Sequence, residues 1–178
     1  MMRYHIPTVL ITVLIIIVLC GVFILNIVSY SAPALADIQT IEEAPGQILY
    51  QSRHTLQDQH GDRWQIIAFN RLRPDGRTSF YLRLVSFPGV AEINRSKSIT
   101  LTTSLGQSLV AADASSKIFT DESTPEPNVG QYDLQPIVSQ LSEVVPLQIT
   151  LPLLNKSDSL LPISPAMIQK WKTITAHN

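Results

Sequence analysis

"RWQIIAFNRLRPDGRTSFYLRLVSF", residues 63–87, is built on a period of two. Trp64, Ile66 and Ala68 alternate with Ile67 and Phe69, and beyond "RPDG" Phe80, Leu82 and Leu84 alternate with Tyr81, Arg83 and Val85. Such a period belongs to extended strands, whose successive side chains point to opposite faces. Pro74, Asp75 and Gly76 form turns, so the stretch predicts an antiparallel hairpin.

The pattern continues on both sides. Upstream, "QILYQSRHTL" (47–56) sets Ile48, Tyr50 and Ser52 on one face and joins the hairpin through "DQHGD" (58–62), which makes a three-strand meander. Downstream, "SITLTTS" (98–104) and "QSLVAAD" (107–113) predict a second hairpin around Leu105–Gly106. "PLQITLPLL" (146–154) reads as a late strand whose Pro152 places its end at a sheet edge. "DIQTIEEAPGQ" (37–47) reads as a short acidic lead, and "DESTPEPNVGQ" (121–131) as an irregular loop.

Two segments carry helical signals. In "YDLQPIVSQL" (132–141), Asp133 serves as N-cap, Pro136 lies in the first turn, and Leu134, Ile137, Val138 and Leu141 form the apolar stripe. In "ISPAMIQKWKTI" (163–174), Ser164 caps, Pro165 takes the first position, and Met167, Ile168, Trp171 and Ile174 recur at helical spacing. The expected fold is mainly β (α+β): an antiparallel meander or small β-sandwich with one or two short helices packed on it.

The N-terminus bounds the location. After Arg3, Val9–Val28 is a run of twenty uncharged residues, long enough to span a bilayer, and "APALA" offers small residues Ala34 and Ala36 for signal peptidase. Residues 1–36 therefore read as a signal peptide or a signal anchor, and residues 37–178 as one exported domain. Cys20 lies inside the apolar run, with bulky Leu19 where a lipoprotein signal needs a small residue. The exported part has no other cysteine, hence no disulfide, thiol nucleophile or thiolate ligand. At 142 residues it can bury roughly 70% of its unfolded surface. It carries 12 Lys+Arg against 14 Asp+Glu, a poor match for nucleic acid.

Chemistry-bearing residues concentrate in "RHTLQDQHGDRW" (53–64), with His54, Asp58, His60 and Asp62. Carboxylates and imidazoles suit a divalent metal. His54, however, falls on the first strand, about 13 Å from the turn at ~3.3 Å per residue, so a polar turn is the expectation. Gly61 fits a tight connection needing positive φ. No G-x-S-x-G elbow, H-E-x-x-H helix or glycine-rich phosphate loop occurs. The carboxylate pairs Glu42–Glu43 and Asp121–Glu122 fall in segments read as loops.

Two features point to binding. Arg71, Arg73, Arg77 and Arg83 surround one turn, a docking patch for an acidic protein or headgroup or simply a solvated hairpin. "FPGV" (87–90) flanks a turn pair with Phe87 and Val90, an apolar tip for a partner or a cover for the core.

"EAPGQILYQSRHTLQDQHGDRWQ" (43–65), "LRLVSFPGVAEI" (82–93), "PNVGQYDL" (127–134) and Trp171 occur together and in order. From about Ile41 to Thr173 the chain resembles a cyanobacterial exported family, domain of unknown function 3122. The resemblance implies a cyanobacterial origin and export to the periplasm or thylakoid lumen, and no activity.

The expectation is a non-enzymatic exported accessory, assembly or binding protein at the thylakoid or plasma membrane, without cofactor or metal, anchored by residues 9–28 if these are uncleaved. Its partner is a membrane protein or an apolar ligand, not nucleic acid, met by Arg71, Arg73, Arg77, Phe87, Pro88, Gly89 and Val90. The alternative is a hydrolase using His54 with a nearby carboxylate.

Overall fold

The computed structural model describes residues 38–119 and 124–177. The expectations for residues 1–36, including the Ala36 cleavage site, Cys20 and Val9–Val28, lie outside the described residues, as does the Asp121–Glu122 pair.

Alternation places residues 63–87 in two paired strands, β3 (Arg63–Leu72) and β4 (Thr78–Ser86), joined by the expected turn. β2 (Gln47–Gln57) pairs with β3, so the meander is present. It is wider than three strands. β1 (Gln39–Ala44) pairs with β2, and β7 (Val129–Asp133) pairs with β4, which gives the order β1-β2-β3-β4-β7. The acidic lead is therefore an edge strand, exposed at every position, so no core face marks it in the sequence. The supposed loop ends in strand β7, whose Gly130 lies where a Cβ would meet Ile93 and the Tyr132 hydroxyl at 3.2 Å.

A second antiparallel sheet has the order β6-β5-β8-β9, from β5 (Ile99–Thr103), β6 (Ser108–Ala111), β8 (Leu147–Leu151) and β9 (Ser159–Ile163). The hairpin at Leu105–Gly106 is as expected. Pro152 is not at a sheet edge: it follows β8, which lies between β5 and β9. The edge proline is Pro162 in β9, where a sheet tolerates a residue that cannot donate.

One core joins both sheets. Trp64, Ile66, Phe80, Leu82 and Leu84 from the first bury with Ile99, Leu101, Ile149 and Leu161 from the second. The helix α1 (Pro165–Thr175) packs on β2 and β3 and buries Met167, Ile168, Trp171 and Ile174. Ser164 caps it by accepting from the Met167 N–H, as expected.

The second expected helix is a 3-10 turn, Val138–Gln140. Asp133 closes β7 and accepts from the Gln135 N–H, which bends the chain into a turn instead of capping a helix. Leu134, Ile137, Val138 and Leu141 are nonetheless buried in the core.

Candidate functional site

The period of two gives the five-stranded sheet a second, outward face. Leu49, Ile67, Phe69 and Tyr81 cluster there with Ala114. Strand parity puts Arg53, Arg63, Arg71 and Arg83 on that face. Arg71 is neutralised by Glu43, with hydrogen bonds of 2.6 and 3.0 Å. That pairing holds the Glu43 carboxyl below its ordinary value, although burial acts the other way. The Arg83 guanidinium donates to Gln131 Oε1 and lies 5.2 Å from the Phe69 ring centroid, with Arg71 at 5.7 Å. Arg53 and Arg63 are exposed, and among the described residues neither guanidinium has a partner.

Beside Arg63 the same face opens into a groove of about 360 Å³, lined by Thr55, Gln65, Val85, Phe87, Pro88 and Asn128. Phe87 is 63% exposed. It begins a turn closed by the Val90 N–H to the Phe87 carbonyl at 3.1 Å. Gly89 at φ +78° after Pro88 is the residue order of a type II turn. Arg95 secures the neighbouring loop by donating to the carbonyls of Pro125, Glu126 and Val129. On the far side of the Phe87 turn a smaller cavity, about 200 Å³, is lined by Gly89, Val90, Glu92, Asn155 and Lys156.

The structure separates the two expected binding features. Arg73 and Arg77 sit in the turn at the start of β4, and Phe87–Val90 follow its end, roughly 30 Å away at ~3.3 Å per residue. Arg77 pairs with Asp75 at 2.6 Å. Phe87 and Pro88 line the groove together with Arg63 instead, an arginine that parity along β3 would have found and nearness to the turn could not.

The histidine-rich segment becomes a turn, with Gly61 at φ +84°. It is not simply solvated, because Asp58 is buried at 7% exposure. Its carboxylate accepts from the backbone N–H groups of His60 and Asp62, from Trp64 Nε1 at 3.1 Å and from Ser159 Oγ at 2.7 Å. Burial alone would raise its pKa, but those four donors hold it below the usual carboxylate value. Gln59 adds bonds to the Asp158 carbonyl and the Leu160 N–H, His60 meets the Ser157 hydroxyl, and Lys156 pairs with Asp62. The turn is a clamp between the sheets.

His54 lies apart on the inner face of β2. Its Nε2 is buried without a partner, and burial, helped by Lys170, pushes its pKa down. No hydrogen bond joins it to a carboxylate among the described residues. Glu42–Glu43 belong to β1, not a loop. Among the described residues no three His, Cys, Asp or Glu side chains come together as a metal site.

A sequence model of the family described as "Protein of unknown function (DUF3122)" matches residues 36–174. The chain belongs to the DUF3122 family. No curated protein and no solved structure matches it. The matched span of this DUF3122 chain holds the clamp, the groove and all four outward arginines. Chemically, the groove offers an apolar wall with a cation at its rim, suited to an extended or amphipathic ligand that carries negative charge.

Proposed function

We propose that this is a non-enzymatic exported accessory protein of cyanobacterial origin, acting at the thylakoid or plasma membrane and held there by residues 9–28 if these are uncleaved. Its outward sheet face holds a membrane-protein partner. One observation carries the reading: Arg53 and Arg63, partnerless among the described residues, lie on the same sheet face as an apolar-walled groove beside Arg63. Interfaces are anchored by arginine and aromatic side chains set in desolvated pockets, and this face supplies both. Export and anchoring are supported by the uncharged Val9–Val28 run behind Arg3. Among the described residues no helix is long and apolar enough to cross a membrane.

The reading is tested by placing a photoreactive amino acid at exposed Thr55, in the groove, and at Arg73, at the opposite end of the sheet. In native membranes position 55 should give one discrete protein adduct and position 73 none. Adducts from position 73 alone, or from neither, would refute it.

A further inference from the structure

Several exposed apolar side chains gather at the clamp end of the fold. Phe87 is 63% exposed, Val90 39% and Leu154 58%. They are neighbours: the Leu154 N–H donates to the Glu92 carbonyl, and Val90 shares a cavity with Asn155 and Lys156. Arg63 stands beside Phe87.

The direction of β1 tells what such an end would meet. Gln39 pairs with Gln51 and Ala44 with Gln47, so β1 runs away from the clamp end and its N-terminal side faces that end. Only residues 29–38 separate Val28 from the start of the strand. Ten residues span at most about 35 Å. From Gln51 to Gln57, β2 itself reaches about 20 Å toward the clamp end. A bilayer holding residues 9–28 therefore lies within about 35 Å of the start of β1, and the clamp end covers about 20 Å of that distance.

We infer that Phe87, Val90 and Leu154 rest in the interfacial layer of the lipid bilayer, with Arg63 at headgroup level. The inference rests on the reading that residues 9–28 remain as the anchor. Apolar side chains rimmed by a cation are the composition of an interfacial contact.

Two tryptophan reporters test it in the full chain, reconstituted in phosphatidylcholine–phosphatidylglycerol vesicles with brominated acyl chains. Phe87→Trp reports the clamp end. Leu105→Trp reports the opposite end of β5, where Leu105 is 81% exposed. Both positions are exposed, so both variants should fold, and native Trp64 and Trp171 are wholly buried. The emission added by F87W should be largely lost to bromine, and that added by L105W retained. Quenching of both, of neither, or of L105W alone overturns the inference. Intact mass of the native protein checks the reading beneath it separately: an N-terminus at Asp37 would remove the tether, and both would fall.

Discussion

The Ser159 hydroxyl donates to the Asp58 carboxylate at 2.7 Å, joining the end of β2 to the edge strand of the opposite sheet. Ser159 is fully buried and Asp58 nearly so. The same carboxylate holds the Trp64 indole N–H and two backbone N–H groups. Asp58→Ala would leave these buried donors unsatisfied and should cost about 3 kcal/mol. Asp58→Asn should fail to rescue, because its amide turns a donor toward other donors. Because the folded pKa is depressed, this contribution is present above the ordinary value of ~3.9 and is lost as pH falls through the lower folded value. Urea unfolding of both variants, and of wild type at acid pH, reads this directly; a midpoint unmoved by D58A contradicts it.

His60 sits in the same clamp but is exposed. His60→Ala should change stability by no more than about 0.5 kcal/mol, as for most surface substitutions. Chelator should leave the thermal midpoint where it was. A fall of many degrees with EDTA would mean a structural metal bound at this turn.

His54 predicts a second pH window. Its folded pKa is depressed by burial and by Lys170, so the unfolded chain binds that proton more tightly. The stabilisation is full above the ordinary value of ~6.5 and is lost as pH falls below it and through the lower folded value. Denaturant midpoints of wild type should decline as pH falls below the ordinary histidine value, and those of His54→Gln should decline less. Equal slopes would place the loss elsewhere.

Trp171 is wholly buried between α1 and the sheet. Trp171→Ala should cost ~3–5 kcal/mol, enough to unfold or severely weaken the domain. The indole N–H has no partner, so Trp171→Phe removes an unsatisfied donor along with the lost volume and should cost far less. Calorimetry or urea titration ranks the three proteins; an alanine variant as stable as wild type would put Trp171 outside the core.

Where one face of a strand is buried, the period of two is visible, and β2 to β6 and β8 were legible for that reason. The capped helix was legible because Ser164 and Pro165 mark its start chemically. β1 escaped because both its faces are wet, and β9 because Pro162 and four neighbours leave little pattern. Asp58 looked like a solvated turn residue, since its deciding partner, Ser159, is 101 residues away. The arginines group differently along the chain and in the fold, for a related reason. Nearness along the chain groups Arg71, Arg73, Arg77 and Arg83 around one turn, whereas the pleat sets Arg53, Arg63, Arg71 and Arg83 on one face.

That difference yields the most direct test of the outward face as a partner surface. Tagged full-length protein is purified from its native membranes in mild detergent as wild type, as Arg53→Glu with Arg63→Glu, and as Arg73→Glu with Arg77→Glu. All three should share one thermal midpoint, since the changes lie outside the core. A partner that stays with wild type and the 73/77 variant but is lost from the 53/63 variant is the predicted result. Retention by the 53/63 variant, or loss confined to the 73/77 variant, would contradict the assignment.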